Sequence, residues 1–456
     1  MNNIVRIYLS NQITLRKDDI PFHILTGIKN YLTLDNPKYL EAKKRDYYTG
    51  NIEPKIYCYR EDSQHIYIYR GYMGNLLSFL CQNGMKYKLI DERRTLPEID
   101  FHFYGDLREY QLKAVNDALQ KHFSVLVSPC GSGKTVMALS IVAQRRQPTL
   151  IICHTKELLN QWIDRINQYS GIPKKEIGIV GNGKESIKAV SVGMVQTLAK
   201  RNLAGIREHF GQIIIDECHH TPASTFINVV SAFDCKYMLG LSATPYRRDK
   251  LNKLIYTTVG NVVAEVKSCD IQDNLIVPEI ITRETSFQYD YKKDSDYVPM
   301  ITALIEDSDR NEFIISDVVY ESQDENNYSL ILSDRKAHCE ELAFILEGQG
   351  IECAVLTGDL PPKKRETIIQ DLESGSLKVI FATGQLAGEG LDLPKLNRLF
   401  VTTPIRWKGR IKQYAGRVMR PAEGKNDAKI YDYVDSVGVL INSYKSRYYQ
   451  VYNHLN

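Results

Sequence analysis

The sequence predicts an α/β protein: two tandem parallel-sheet domains preceded by a small α+β domain. Three observations predict it. Apolar strand-like runs alternate with helical periodicity from Tyr104 onward, a second such series begins near Tyr328, and the residues before 104 interleave tyrosines with basic residues instead. Short apolar strands separated by amphipathic helices are the pattern of a parallel sheet covered on both faces. At 456 residues, 43% hydrophobic and 25% charged, the chain is long enough for two or three buried cores.

Residues 1–103 carry clusters such as Lys43-Lys44-Arg45-Asp46-Tyr47-Tyr48 and Lys55-Ile-Tyr-Cys-Tyr-Arg60. His65-Ile-Tyr-Ile-Tyr69 alternates like a half-buried strand, and residues 75–81 have the spacing of a short helix. The cations and tyrosines suit contact with phosphates and bases, and they suit equally the half-exposed surface of an ordinary sheet.

In the first alternating series Asp106 is the expected N-cap of a helix whose apolar positions are Leu107, Ala114, Val115, Ala118 and Leu119. Strands are expected at 124–127, 149–152, 212–215 and 237–241, with a helix carrying Leu158, Leu159, Trp162, Ile163 and Ile166 between the second and third. A less regular stretch at 250–291, holding Pro278, marks the boundary between domains, and one helix-like segment follows at 301–320. The second series places strands near 328–332, 353–356, 378–382, 398–401 and 429–433, and the tyrosine-rich tail at 443–452 has helical spacing. The expected bounds are 1–103, 104–275, 276–437 and a C-terminal docking helix at 438–456.

A net charge of +3 is close to neutral, so any surface for a polyanion must be a local patch. Nine cysteines form no C-x-x-C pair, and several sit in apolar runs, as expected of reduced core residues in a cytosolic protein. The N-terminus lacks a basic stretch followed by a long apolar one, and no apolar run approaches membrane-spanning length. A soluble, unexported protein with no membrane partner is expected.

The chemistry centres on Ser128-Pro129-Cys130-Gly131-Ser132-Gly133-Lys134-Thr135, which follows an apolar strand and opens a helix. Such a loop lets successive backbone N–H groups and a helix N-terminus cradle a triphosphate. Lys134 neutralises the β- and γ-phosphates and Thr135 holds Mg²⁺. Ser128 stands where the usual phosphate-loop pattern has glycine. Further on, Gln212-Ile-Ile-Ile-Asp216-Glu217-Cys218-His219 ends a buried-type strand on two carboxylates. Asp216 can hold Mg²⁺ and Glu217 can orient and deprotonate an attacking water. Cys218, His219 and His220 are neighbours in sequence and cannot readily converge on one tetrahedral zinc ion.

The Asp216-Glu-Cys-His box, followed by Leu241-Ser-Ala-Thr-Pro-Tyr-Arg247, resembles motifs II and III of the superfamily 2 helicases and translocases, and the resemblance extends over roughly residues 107–421. It implies two RecA-like motor domains behind an accessory domain, with ATP and Mg²⁺ as cofactors. It also implies roles for residues that match the family's motifs. Arg108 and Gln111 fall at the adenine-reading position, and His219, Ser242, Ala243 and Thr244 at positions that couple the two halves of the cycle. Thr155 and Lys156, with Gln196 and Thr197, match loops that touch the nucleic-acid backbone. Ser333 and Arg335, Thr357 and Gly358, and Thr383 match the corresponding contacts of the second domain. Gly390 and Asp392 match its nucleotide-facing motif V. Gln413, Arg417 and Arg420 match motif VI, with both arginines expected on one helix face as arginine fingers supplied in cis.

Within the superfamily the motif set resembles the XPB-related group and the phage recombination translocases of the UvsW type, which implies branched, forked or duplex DNA as partner, with Lys43, Lys44 and Arg45 as further contacts. An RNA helicase and the duplex-translocating subunit of a restriction system are the alternatives. The resemblance implies a monomeric or weakly associating protein acting in the cytoplasm, that of the host if phage-encoded.

Overall fold

The structure, a computed structural model, describes residues 4–44, 47–129, 131–181, 183–219, 223–243, 251–267, 270, 276–384, 393–404 and 408–454. Cys130, Thr244, Gly390, Asp392, Arg45 and the side chain of Gln413 lie outside that description. The chain divides into two compact units, 1–266 and 267–456.

The first unit opens with strands β1 (Val5–Leu9), β2 (Gln12–Arg16), β3 (Thr33–Asp35), β4 (Lys55–Tyr57), β5 (Tyr59–Glu61), β6 (His65–Tyr69) and β7 (Tyr87–Asp91). Five of them form a mostly antiparallel sheet in the order β5-β6-β2-β1-β7, and β3 pairs with β4. Alternation works as expected in β6, and β1 shows it too, every second residue being buried. Helices Phe22–Tyr31 and Met73–Gln82 cover the buried face.

Strands β8 (Phe123–Val127), β9 (Thr149–Cys153), β10 (Gly178–Gly181), β11 (Lys184–Ser186), β12 (Val190–Met194), β13 (Gln212–Ile215), β14 (Tyr237–Ser242) and β15 (Val262–Glu265) make the next sheet, in the order β11-β10-β12-β9-β13-β14-β8-β15. All pairings are parallel except that of β11 with β10. β9 and β13 are buried along their whole length, because helices pack on both faces. Each of Ile213, Ile214 and Ile215 is at most 1% exposed, a burial worth about 1.5–3 kcal/mol per side chain.

The two sheets of this unit share one apolar core, in which Val5, Ile7 and Leu76 belong to the same cluster as Val125, Met238 and Val259. The fully buried Arg70 donates to the Cys235 carbonyl at 2.6 Å and lies over the Phe123 ring, and Arg94 grips Asp234 with two bonds of 3.0 Å. A Cβ at Gly71 would sit 2.6 Å from the Gly260 nitrogen and the Thr257 carbonyl, so only glycine permits this approach of backbone to backbone.

The second unit holds β16 (Glu279–Glu284), β17 (Ser329–Ser333), β18 (Cys353–Leu356), β19 (Val379–Thr383), β20 (Arg398–Val401) and β21 (Lys429–Val434), all parallel, in the order β16-β21-β20-β17-β19-β18. The single helix expected at 301–320 is two, Tyr297–Glu306 and Ser308–Glu321. Asp307 breaks it: its backbone is extended and its carboxylate caps the second helix by accepting from the Arg310 N–H at 2.8 Å. The tail helix, Gly438–Gln450, is fixed by Arg447, whose buried guanidinium makes two bonds to Asp432. Among the described cysteines, Cys58, Cys153, Cys218, Cys235 and Cys339 are buried free thiols, while Cys81 is exposed. Among the described residues no helix is long and apolar enough to cross a membrane.

Candidate nucleotide and nucleic-acid site

The register of the first sheet brings the motifs together. Ile152 of β9 pairs with Ile215 of β13, and Ser242 of β14 with Val127 of β8, so four strands deliver their following loops to one edge. The carboxyl ends of parallel strands are where ligands bind in such sheets.

The phosphate loop leaves β8 at Val127 and enters helix Lys134–Arg145. Gly131 and Gly133 have φ of 84° and 83°, a left-handed backbone that glycine adopts without cost. A Cβ at Gly133 would meet Gln111 Nε2 at 2.4 Å, so the cradle also needs the missing side chain. Gln111 is built into the loop: its amide donates to the Ser132 carbonyl at 2.8 Å and accepts from the Arg108 N–H at 2.9 Å. That second bond sets the helix start at Glu109, with Arg108 as N-cap in place of the expected Asp106. Ser132 Oγ donates to the Pro129 carbonyl at 2.7 Å and contacts the hydroxyl of the buried Ser128. Ser128 thus serves the loop as a hydrogen-bonding residue, which a glycine could not do. Lys134 donates to the Ser128 carbonyl at 3.1 Å, curling over the loop, and half-buried Thr135 follows it in the first helical turn.

Asp216 and Glu217 arrive from β13. Asp216 Oδ2 accepts from the Trp162 indole N–H at 2.8 Å and Oδ1 from the Glu217 N–H at 2.9 Å. Burial, together with the neighbouring Glu217 charge, raises the Asp216 carboxyl above the usual carboxylate range. Glu217 has φ of 45°, rare for a residue with a side chain and a form of strain that gathers at functional sites. Its carboxylate lies 3.9 Å from Lys134 Nζ and 3.3 Å from His219 Nδ1. Ser242 Oγ is 2.8 Å from the same His219 nitrogen, and the Ser242 carbonyl accepts from the Ser128 N–H at 2.9 Å. The Asp216-Glu217 strand end, Ser242 and the phosphate loop are therefore joined through β14.

A cradle closed by glycine, an ammonium over it and a partly buried carboxylate beside it fit a nucleoside triphosphate with Mg²⁺. Lys134 and the loop N–H groups would hold the phosphates, with Thr135 and Asp216 holding the ion.

Neighbouring strands carry the other loops. Thr155 Oγ1 caps helix Lys156–Ser170 by accepting from the Leu158 N–H at 3.2 Å, and Gln196 donates to the His154 carbonyl at 2.8 Å, tying two loops of the sheet edge into one piece. Gln196 is exposed and Thr155, Lys156 and Thr197 are half-buried. In the second unit Ser333 and Thr383 end the adjacent strands β17 and β19, and Thr357 follows the end of β18 beside them. Two of these hydroxyl residues face inward. Ser333 is buried, its Oγ 3.0 Å from His338 Nδ1 and accepting from the Arg335 N–H, and Thr357 is buried too, so Arg335 and Gly358 are the exposed members of the row. Arg417 lies in the last turn of helix Lys408–Val418, whereas Arg420 lies beyond its end. The expected shared helix face is lost because Pro421 disfavours helical backbone in the residue before it.

Residues 105–247 match the family described as "Type III restriction enzyme, res subunit", and residues 311–422 match "Helicase conserved C-terminal domain". The chain belongs to the superfamily 2 helicases. Its two parallel-sheet units are the family's tandem RecA-like domains, and family membership makes it an ATP-dependent nucleic-acid helicase. A protein of Acanthamoeba polyphaga mimivirus named as an ATP-dependent RNA helicase, L396, is 31% identical over 74% of this helicase and 66% of its own length. The DNA 3'-5' translocase XPB2 of Sulfurisphaera tokodaii is 27% identical over 69% of this helicase and 79% of its own length. A solved fragment described as an HsdR subunit of a type I restriction enzyme from Vibrio vulnificus YJ016 shares the fold, with a TM-score of 0.57 at 20% identity over 81% of this helicase and 71% of the fragment.

Two contributors escaped the sequence reading. Trp162 bonds a carboxylate 54 residues away, and His338 orders a loop through Ser333. By spacing Trp162 is an ordinary apolar helix position and His338 belongs to no motif, and only the buried polar partner of each marks it.

Proposed function

We propose that this helicase is an ATP-driven DNA translocase that remodels branched or duplex DNA, in branch migration and in fork or junction processing during recombination and repair. The row of loops at one sheet edge carries the reading: phosphate loop, Asp216-Glu217, Ser242 and the Thr155–Gln196 pair share an edge, so hydrolysis and strand contact are mechanically connected. Bound ATP with Mg²⁺ supplies the phosphoryl group to be transferred and a divalent counter-charge. Lys134 would neutralise phosphate charge and Asp216 and Thr135 would hold the ion, while Glu217 takes a proton from the attacking water. Arg417 and Arg420, with Gln413, stabilise the charge that develops on the phosphoryl group. Arg108 and Gln111 read the base.

DNA is favoured by the similarity to a DNA translocase, with branched DNA following from the motif set. The similarity to a protein named as an RNA helicase supports a second reading, and the first family's description a third, a restriction motor. ATP hydrolysis and strand displacement measured side by side on single-stranded DNA, forked DNA, four-way junctions, plain duplex and RNA test all three. Greatest stimulation by forks and junctions is expected. Stimulation by RNA alone would transfer the assignment to RNA, and plain duplex tracking without strand separation would transfer it to the restriction motor.

A further inference from the structure

Trp162 is 2% exposed and sits on the apolar stripe of helix Lys156–Ser170 with Leu159, Ile163 and Ile166. A buried indole N–H needs an acceptor, and a backbone carbonyl would serve. Here the acceptor is the Oδ2 atom of Asp216, at 2.8 Å, on a different element. The other carboxylate oxygen takes the Glu217 N–H at 2.9 Å. One donor on each oxygen fixes the plane of the carboxylate and leaves one lone pair of each for a metal or its water. The helix that carries the indole begins at the Thr155 cap, in the loop that Gln196 also grips.

We propose that Trp162 is a positioning residue that orients Asp216 and ties the metal-holding carboxylate to the strand-contacting loop at the start of its own helix. Strand contact at Thr155 and Lys156 moves the rigid helix, the indole moves with it, and the carboxylate follows its hydrogen bond. This rests on the reading of Asp216 as the Mg²⁺ residue. Trp162→Phe fills the same apolar site without the donor and so separates packing from hydrogen bonding.

The experiment uses the full chain, which has two tryptophans, Trp162 and Trp407. In a Trp407→Phe background Trp162 is the sole indole, and its emission is titrated with Mg²⁺ and ADP, then with Mn²⁺ as a paramagnetic quencher, with and without oligodeoxythymidylate. The emission should respond saturably to the metal, and the oligonucleotide should shift the midpoint. In parallel, Trp162→Phe should raise the Mg²⁺ concentration for half-maximal hydrolysis by about 10- to 100-fold, leave KM for ATP at saturating Mg²⁺ unchanged, and blunt stimulation by DNA. Wild-type Mg²⁺ dependence and DNA stimulation in Trp162→Phe would overturn the proposal, as would an emission blind to both ligands. Asp216→Asn separates the two levels. Normal hydrolysis by that variant overturns the metal reading and this inference with it, whereas an inactive Asp216→Asn beside a wild-type-like Trp162→Phe overturns the role of Trp162 alone.

Discussion

Lys134 Nζ stands 3.9 Å from Glu217 Oε1, with the ammonium 12% and the carboxylate 15% exposed. In the proposed mechanism, phosphates entering the cradle would compete for that ammonium and leave the carboxylate to a water. Glu217→Gln keeps the shape and loses the base, so turnover should fall by ~10²-fold or more while nucleotide binding persists. Lys134→Ala should weaken nucleotide binding itself. Steady-state hydrolysis beside equilibrium binding of a fluorescent nucleotide distinguishes the two variants, and normal turnover by Glu217→Gln would remove Glu217 from the chemistry.

Arg417 closes the last turn of its helix and Arg420 follows beyond it. If their planar forks stabilise the transferring phosphoryl group, charge alone cannot replace them. Arg417→Lys should then lower hydrolysis by ~10³-fold, the scale of a lost arginine finger, at unchanged nucleotide affinity. A lysine variant that turns over like the wild type would show that Arg417 has another task.

The site was legible where its chemistry is local. A phosphate loop is one continuous segment, so Gly131, Gly133, Lys134 and Thr135 announce their geometry through spacing alone, and Asp216-Glu217 does so through the buried strand ahead of it. Contacts between distant segments left no such trace. Nothing near Trp162 points to Asp216, and Asp106 is the cap that residue type favours, whereas the Arg108 N–H bond to the Gln111 amide, itself held by distant Ser132, starts the helix at Glu109. Strands β10 and β11 went unseen because the first has only Ile179 and Val180 between glycines and the second is wholly exposed. Their existence depends on the neighbour β12, which local periodicity cannot register.

His338 supplies a pH test. Its ring bridges Ser333 Oγ and Asn311 Oδ1, and burial beside Arg310 pushes its pKa down to about 3 from 6.5. The folded protein therefore keeps it neutral while the unfolded chain takes up a proton below about 6.5. The unfolded state binds more protons between these values, so stability is complete above pH 6.5 and falls as the pH drops toward 3. The slope from one such group is at most about 1.4 kcal/mol per pH unit. His338→Gln should flatten that decline, and denaturant midpoints at neutral pH and at pH 5 measure it. Equal acid losses in both proteins would contradict the account.

Residues 1–103 carry a basic and aromatic surface whose role can be tested. Several cations there are engaged by their own surface: Lys55 with Asp35, Lys17 and Lys29 with Glu61, and Arg60 with Gln12. Lys43 and Lys44 differ, being exposed in the last turn of helix Pro37–Lys44, just ahead of Tyr47 and Tyr48, which are 64% and 81% exposed. Cations beside open aromatic rings suit a polyanion with stackable bases. Deleting residues 1–103 is a poor test, because Arg70, Arg94 and the shared apolar core tie them to the next sheet and truncation should bring insolubility. Reversing Lys43, Lys44 and Arg45 to glutamate spares that core, so the folded protein and its DNA-independent hydrolysis should survive. If each of the three faces a phosphate, junction affinity should drop and the salt dependence of binding should flatten by about 0.9 per lost contact. Junction binding across a salt series measures both quantities. An unchanged affinity with an unchanged slope would mean that this face only covers the first motor sheet, and the choice of substrate would then lie with the loops at Thr155, Gln196 and Arg335.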